Sequence, residues 1–328
     1  MGMASSSVSV AFVLSGGANL GAAQAGMLEA LLDAGISPDL LVGTSIGAVN
    51  AAFLAAGPAP AQAQALSAIW RGLRAEEFFP LRAAQVTRAL RAGALFSPEP
   101  FRRLLEREIP YRLVEEAPTQ LRIVATRWLP PADAAAPVRV AAALDRHAGP
   151  AAEPFRRVAE MLDRTVERAA IPLRVVTTRF ERLVEEVFAS GPVLDALLAS
   201  SALPLVFPAH RYDGHVYVDG GLSEYVPLRP AIEAGAKTIY VLTLGAARDR
   251  AGLYRAVGSR LWPQMGATVA EARAAHPEVE LVEIPAPVTH AGLRDFALLG
   301  ELVDQAREVA ARFLAGLPVG PMDLERSA

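Results

Sequence analysis

Residues 40–54, LLVGTSIGAVNAAFL, contain the pattern that determines the predicted fold. A short apolar run enters the pentapeptide Gly43-Thr-Ser45-Ile-Gly47, and an alanine-rich segment follows it. A G-x-S-x-G sequence between a strand and a helix is typical of a nucleophile elbow, in which the serine hydroxyl projects from the sheet. The first turn of the helix would direct free N–H groups toward a developing anion. The pattern therefore predicts that Ser45 is a nucleophile, with an ordinary structural turn as the alternative.

A glycine-rich turn lies upstream of the elbow, between another predicted strand and helix. Residues 8–14 form a largely apolar run, as expected for a strand buried on both faces of a parallel sheet. The turn that follows is Ser15-Gly16-Gly17-Ala18-Asn19-Leu20-Gly21, and helical spacing then continues to Gly35. In parallel neighbouring strands this turn would share a sheet edge with Ser45, so its backbone N–H groups are candidate oxyanion donors. A phosphate-binding loop is the alternative, although neither the G-x-G-x-x-G nor the Gly-Lys-Ser/Thr signature occurs.

Strands and helices alternate along much of the chain, which indicates an α/β fold. The last third is predicted to contain a helix at 193–202, a hairpin that turns on Asp213-Gly214, strands at 237–244 and 279–284, and a helix at 293–314. We expect one domain, residues 1–328. Its core would span 8–244, and residues 245–328 would add a C-terminal strand–helix extension.

The middle of the chain carries an internal sequence echo. EPFRR at 99–103 recurs at 153–157, and LRIVATRW at 121–128 is echoed by LRVVTTRF at 173–180. Two matched blocks in the same order predict an inserted or duplicated helix–strand segment near 110–172, with chance similarity as the alternative. Residues 130–150, rich in Pro and Ala, are expected to form a surface loop. Residues 62–107 show helical spacing but nothing that suggests catalysis.

Composition excludes several classes of function. The chain has 328 residues, of which 52% are apolar, and its 35 acidic and 32 basic side chains give a net charge of -3. No broad positive field is available to attract nucleic acid, so a polynucleotide partner is not expected. Cysteine is absent, which excludes disulfides, thiolate metal sites and cysteine nucleophiles. Because the five histidines show no i, i+4 pairing, we expect neither a metal nor a cofactor.

The N-terminal region predicts a first strand and not a signal peptide, since it has no basic segment before its apolar run. The long uncharged runs are interrupted before an apolar span of roughly 18 to 20 residues accumulates. We therefore expect a cytoplasmic protein, with any membrane contact peripheral; the oligomeric state is left open. Gly2 and Ser6 fit the loose N-myristoylation pattern. Residues 253–265 mix aromatic and basic side chains, which suits either an interfacial helix or an ordinary surface helix.

A third motif, Val218-Asp219-Gly220-Gly221, follows the predicted hairpin. An aspartate before two glycines is, by itself, typical of a turn. Together with the glycine-rich turn and the elbow, in that order, it makes the chain resemble the patatin-like phospholipase family. The segments ASSALP at 199–204 and VYVDGGL at 216–222 add to the resemblance, which covers about residues 8–244.

The resemblance implies a three-layer α/β/α fold around a mostly parallel sheet, and a catalytic dyad without histidine. Ser45 would be the nucleophile and Asp219 the base. The oxyanion and substrate-binding residues would be Gly16, Gly17, Ala18 and Ile46, and the motif glycines would be Gly21, Gly43, Gly47, Gly220 and Gly221. The implied activity is that of a lipid acyl hydrolase of the phospholipase A, lysophospholipase or esterase type, acting on a lipid or fatty-acyl ester.

Two departures from the family pattern leave alternatives open. Ala18 stands where the family usually has a third glycine, and Leu20 stands where it has a basic residue. A non-catalytic lipid-binding or regulatory relative is therefore one alternative. A Ser-His-Asp esterase is another, with His210 or His290 as the histidine, although His147, His215 and His276 also occur outside any recognisable motif. An acyltransferase would require a histidine motif that the sequence lacks.

Overall fold

The computed structural model describes residues 8–80, 94–129, 183–204, 206–244, 269–287 and 295–317. Within these ranges the strands are β1 (Val10–Leu14), β2 (Leu40–Thr44), β3 (Gln120–Trp128), β4 (Leu183–Phe188), β5 (His210–Tyr212), β6 (His215–Val218), β7 (Thr238–Leu242) and β8 (Glu280–Ile284). The α-helices are α1 (Gly21–Asp33), α2 (Ile46–Ala55), α3 (Pro60–Gly72), α4 (Ala75–Phe78), α5 (Glu99–Glu108), α6 (Val193–Ser200), α7 (Arg229–Glu233), α8 (Val269–Ala275) and α9 (Leu299–Leu314).

The strands form one mixed sheet, hydrogen-bonded in the order β5-β6-β3-β2-β1-β7-β8. Strands β2 and β6 pair with successive parts of one edge of β3, and β4 pairs with its opposite edge. The run from β3 through β2, β1 and β7 to β8 is parallel. The pairs β3–β4, β3–β6 and β5–β6 are antiparallel. The predicted α/β fold with a mostly parallel central sheet is thus confirmed.

Helices cover both faces of the sheet. Since neighbouring residues of a strand point to opposite faces, β1 contributes side chains to two separate cores. Phe12 and Leu14 of β1 pack into a core with α1, α2, α3 and α9. Ala11 and Val13 of the same strand pack into a second core with α7 and α8. The outcome is three layers, α/β/α, with β1 buried on both faces as its apolar sequence predicts.

The ends of β2 and β6 meet along one edge of β3, and this arrangement positions the site. Thr44, the last residue of β2, pairs with Val124, whereas Val218, the last residue of β6, pairs with Thr126. Strand β4 pairs with both of these β3 residues from the opposite edge. Since β2 runs parallel and β6 antiparallel to β3, their C-terminal ends point at each other. The residues that follow these two strands, Ser45 and Asp219, therefore face one another across a gap of about one β3 residue.

The structure differs from the sequence prediction in a few elements. Strand β4 was not predicted, because its sequence LVEEVF does not alternate between apolar and polar residues. The last helix begins at Leu299, after a 3-10 turn at Phe296–Leu298.

Several predictions concern residues outside the described ranges. These are the second copy of the echo at 153–180, the loop at 130–150, the segment 253–265, Gly2 and Ser6. The duplication and the interfacial helix stay predictions.

The packing of α1 against α9 generates a first prediction. A Cβ added at Gly26 of α1 would overlap the carbonyl oxygen of Val303 in α9. We expect Gly26→Ala to lower the free energy of unfolding by about 2–3 kcal/mol, because two helix backbones must move apart. A Cβ at Gly72, the last residue of α3, meets nothing within 4 Å, so Gly72→Ala is the matched control and should not destabilise the fold. Urea unfolding of both variants measures the difference, and equal stabilities would contradict this packing.

Candidate active site

Ser45 occupies a tight turn between β2 and α2 with a strained backbone. Its φ of 53° and ψ of -127° are conformations that residues with a side chain rarely adopt. A Cβ added at Gly43 would lie 2.5 Å from the backbone of Ala48, and one at Gly47 would overlap the carbonyl oxygen of Leu14. Both motif glycines are therefore required by the close approach of α2 to β1 and β2, as the elbow pattern predicts.

The Ser45 hydroxyl contacts the Asp219 carboxylate directly. Ser45 Oγ donates a hydrogen bond of 2.5 Å to Asp219 Oδ2. The other carboxylate oxygen, Oδ1, accepts from the N–H of Gly221 at 2.9 Å. Each oxygen of Asp219 thus has one donor, and the Oδ2 that faces Ser45 is correctly placed to receive its proton.

The backbone around Asp219 is held at several points. Its N–H donates to Ala202 O at 3.0 Å, and its own carbonyl accepts from Thr126 Oγ1 at 2.9 Å. A Cβ at the following residue, Gly220, would overlap the carbonyl oxygen of Val124. The aspartate is therefore fixed to β3, the same strand against which β2 carries Ser45.

Burial raises the pKa of Asp219 to about 6, while the hydrogen bonds from Ser45 and Gly221 partly oppose the rise. Only 5% of the residue is exposed to solvent. A carboxylate with this pKa is ionised at neutral pH and is a stronger base than an aspartate in water. The environment therefore supplies basicity that the residue type lacks.

Ser200 contributes to the site, a role that the sequence reasoning did not assign. The backbone N–H of Ser45 donates to Ser200 Oγ at 2.8 Å, and that hydroxyl donates to Val124 O at 2.6 Å. The N–H of Ser45 is thereby occupied and holds the elbow in place. The only sequence signal was the position of Ser200 within the segment 199–204, which carried the resemblance without indicating this contact.

The glycine-rich turn lies beside Ser45, as predicted. A Cβ at Gly16 would be 3.5 Å from Ser45 Cβ. The N–H of Gly16 donates to Tyr225 O at 3.1 Å, so this amide is already used. Within the described residues, by contrast, we find no acceptor for the N–H groups of Gly17, Ala18 and Ile46. With respect to the described part of the chain, these three amides are open to a ligand oxygen.

A cavity lined almost entirely by apolar side chains opens onto the dyad. Ser45 and Asp219 form part of its wall, together with Ala18 and Ile46. The apolar walls come largely from α2, α3 and α5 and from a group of phenylalanines: Val49, Phe53, Leu66, Ile69, Trp70, Leu73, Phe78, Phe79, Phe101, Leu104, Leu105, Phe207 and Phe296. Residues 62–107, which suggested nothing catalytic in the sequence, therefore supply much of the surface that faces the dyad.

A model of the family described as patatin-like phospholipase matches residues 12–232, more than half of the chain. The chain belongs to the patatin-like phospholipase family. The matched range contains the glycine-rich turn, Ser45 and Asp219. It ends before β7, although β7 lies in the middle of the sheet between β1 and β8. Membership of this family supports lipid hydrolase activity.

Solved structures with some likeness to the chain include two bacterial proteins. VipD from Legionella pneumophila is 14% identical, with a TM-score of 0.44 over 95% of this chain and 67% of VipD. ExoU from the type III secretion system of Pseudomonas aeruginosa, solved in complex with SpcU, is 16% identical, with a TM-score of 0.33 over 94% of this chain. The chain covers 52% of that structure's chain. No curated protein sequence matches the chain.

The two departures from the family pattern have clear positions in the structure. Ala18 has a φ of 51°, in the left-handed region that favours glycine, which explains why the family usually has glycine there. Its N–H group is retained. Leu20, an uncharged residue, is buried in the core next to α1. This position therefore supplies no charge to the site.

None of the described histidines is hydrogen-bonded to Ser45 Oγ. His210 Nε2 lies 2.9 Å from Asp195 Oδ1, and His276 Nδ1 lies 3.2 Å from Glu278 Oε1. His215 is the first residue of β6 and is exposed. His147 and His290 fall outside the described residues. Of the described part of the chain, only Asp219 contacts the Ser45 hydroxyl.

The backbone of Ser45 generates a second prediction, which separates strain from chemistry. Ser45→Ala and Ser45→Gly both remove the hydroxyl, but only glycine adopts this φ and ψ without strain. We expect the glycine variant to have a free energy of unfolding about 1 kcal/mol higher than the alanine variant, even though glycine also gains entropy in the unfolded chain. Chemical denaturation of the two variants tests this, and a more stable alanine variant would show that the turn is unstrained.

Proposed function

We propose that this chain hydrolyses carboxylic esters of lipids through a Ser45–Asp219 dyad and an acyl-enzyme intermediate. The observation that carries the proposal is the 2.5 Å hydrogen bond from Ser45 Oγ to a buried carboxylate at the wall of an apolar cavity. Family membership supports the broader activity, lipid hydrolysis. The dyad, the acyl-enzyme and the site residues are the finer part of the proposal.

Acylation would begin with attack of Ser45 Oγ on the carbonyl carbon of the ester, while its proton passes to Asp219 Oδ2. The charge that develops on the carbonyl oxygen would be stabilised by the N–H groups of Gly17, Ala18 and Ile46. Each such donor typically contributes a few kcal/mol to the transition state. Collapse of the tetrahedral intermediate breaks the ester C–O bond, and the leaving alcohol takes the proton from Asp219.

Deacylation would repeat these steps with water. Asp219, again ionised, accepts a proton from the water that attacks the acyl carbon, and the same three amides hold the oxyanion. When the intermediate collapses, Ser45 Oγ leaves and regains the proton from Asp219. The products are a free fatty acid and the original dyad, so one water is consumed per ester and no cofactor takes part.

The apolar cavity would bind the acyl chain. Of the described residues that line it, Asp219 and Glu108 are charged and most of the others are apolar, so a hydrocarbon chain gains from burial there whereas a polar chain would lose its hydration. Within the described ranges, no helix combines the length and apolarity needed to cross a membrane. We also propose that the chain meets its lipid substrate peripherally.

A third prediction tests the dyad with p-nitrophenyl esters of increasing acyl length. Wild type should release a burst of p-nitrophenol when the acyl-enzyme forms. Ser45→Ala and Asp219→Asn should each lower kcat by roughly 10³-fold or more, because each removes a member of the same proton transfer. Ser37→Ala and Asp213→Asn are the matched controls, since both residues are exposed. They should retain full activity.

The possible outcomes distinguish the alternatives. Full activity of Asp219→Asn would identify a different base, such as a histidine. Absence of turnover by the wild type on every ester, together with unchanged lipid binding in Ser45→Ala, would support a non-catalytic lipid-binding relative. A preference for long acyl chains would identify the cavity as a lipid site, and a preference for acetate would contradict that assignment.

The pKa of Asp219 generates a fourth prediction, on pH dependence. Asp219 accepts a proton only when it is ionised, and burial raises its pKa to about 6. We therefore expect kcat/KM to rise with pH through about 6 and to stay level above it, since kcat/KM reports ionisation in the free enzyme. A rate profile that is already level below pH 5 would show that the carboxylate is not buried as described, and the profile of Asp213→Asn should match that of wild type.

A further inference from the structure

A second cavity adjoins the apolar cavity proposed to bind the acyl chain, here called the acyl cavity. Two stacked phenylalanine rings line both of them. Phe101 and Phe207 lie with ring centroids 6.1 Å apart and planes inclined by 11°. Both rings line the acyl cavity on one side and the second cavity on the other. Ser201 also lines both cavities, so it lies where they meet. The second cavity differs in character, because Arg102 and His210 contribute to its wall.

The hydroxyl of Ser201 is buried without a partner. The residue is 8% exposed, and within the described ranges its Oγ makes no hydrogen bond. The preceding Ser200, by contrast, uses its hydroxyl twice, toward Ser45 and Val124. A buried hydroxyl that lacks a partner is unfavourable in a folded protein, and one that lines a cavity can be satisfied by a ligand. Ser201 thus offers a donor and an acceptor where the two cavities meet.

The guanidinium of Arg102 is also available. Its contacts with Glu99 and Glu106 are long, at 4.0 and 3.8 Å, and neither is a hydrogen bond. Both carboxylates are half exposed, and such pairs contribute little in water. Arg107 of the same helix differs, because it donates to Glu108 at 2.5 Å. Toward the described residues, Arg102 therefore keeps N–H donors available in the fork geometry that binds phosphate and carboxylate oxygens.

The remaining polar pair at this cavity is already satisfied. His210 Nε2 and Asp195 Oδ1 lie 2.9 Å apart, so each has its partner. The Asp195 side chain keeps 32% of its surface in solvent, which weakens its repulsion of an anion bound near Arg102. Among the described residues that line this cavity, the Arg102 guanidinium and the Ser201 hydroxyl are two groups that remain available to a ligand.

We propose that Arg102 and Ser201 form a subsite for an anionic phosphate oxygen on the alcohol side of the ester, while the acyl chain lies in the apolar cavity. The inference rests on the proposed function and names two residues that would select glycerol esters with a phosphate over those without one. The position fits this division, since the dyad lies in the wall of the cavity that Ser201 shares.

The test compares two esters with the same short acyl chain, a monoacylglycerol and its 3-phosphate, below their micelle concentrations. Arg102→Gln should lower kcat/KM for the phosphate ester about tenfold, through KM, because a charge-assisted hydrogen bond is lost. Its kcat/KM for the monoacylglycerol should not change. Ser201→Ala should shift the preference in the same direction by about threefold. Because its hydroxyl has no partner to lose, this variant is expected to fold normally.

Arg103→Gln is the matched control. Arg103 is the next residue of α5, its side chain is 63% exposed, and it lines neither cavity. The control removes the same charge from the same helix, so it corrects for any general electrostatic effect on anionic substrates. Equal preferences in Arg102→Gln and Arg103→Gln would overturn the subsite.

Two further measurements separate the subsite from the proposed function and from free phosphate. If wild type hydrolyses neither ester, the proposed function fails, and titration calorimetry with glycerol 3-phosphate then tests the subsite directly. Binding that is lost in Arg102→Gln and kept in Arg103→Gln supports it, whereas no binding to wild type overturns it. If inorganic phosphate suppresses the wild-type preference as strongly as glycerol 3-phosphate does, the site recognises free phosphate and the assignment to the lipid headgroup is wrong.

Discussion

The site depends on one constraint of the sheet: β2 and β6 end against each other on the same edge of β3. Two strands that meet in this way cannot both continue, so each must turn out of the sheet at the meeting point. The chain after β2 turns at Ser45, and the chain after β6 turns at Asp219. Backbone contacts too close for a Cβ, at Gly47 and Gly220, keep both turns against their neighbours. The contact between hydroxyl and carboxylate therefore follows from backbone geometry. This geometry explains how Ser45 Oγ and Asp219 Oδ2 are held 2.5 Å apart.

That geometry buries the Asp219 carboxylate, and burial raises its pKa. Placing a carboxylate in the interior disfavours its charged form, and the two hydrogen bonds from Ser45 and Gly221 compensate only in part. A third strong donor would stabilise the charge further and lower the basicity. Loss of the Gly221 N–H donor would raise the pKa further. The observed balance leaves the group ionised but basic, which suits a proton acceptor without a histidine.

The sequence was informative where function depends on local geometry. The elbow motif predicted Ser45 as a nucleophile, and the three motifs together, through the resemblance that they carry, predicted Asp219 as its base; the structure brings the two side chains into hydrogen-bond contact. Ser200 and the Tyr225 carbonyl were not predicted, because each acts through a contact with a distant part of the chain. The same is true of the apolar cavity, since the residues at 62–107 have the spacing of ordinary core helices and become a wall only when α3 and α5 flank α2. Strand β4 was missed because pairing with β3, and not its own pattern, determines it.

The buried amides behind the glycine-rich turn explain how it keeps its shape with Ala18 and Leu20 in place of the usual residues. Gln24 Nε2 donates to Ser15 O at 2.9 Å and to Leu242 O at 3.1 Å, which fixes the start of the turn to β7. Asn50 of the elbow helix donates to Gln24 Oε1 at 2.9 Å and to Gly21 O at 3.0 Å, and Trp70 Nε1 completes the set by donating to Asn50 Oδ1. Every donor in this network has an acceptor, so the turn and the elbow helix are held to each other by hydrogen bonds that need no charge. The left-handed strain at Ala18 can persist because its surroundings fix it from both ends. A charged side chain at position 20 would have to be buried in this core.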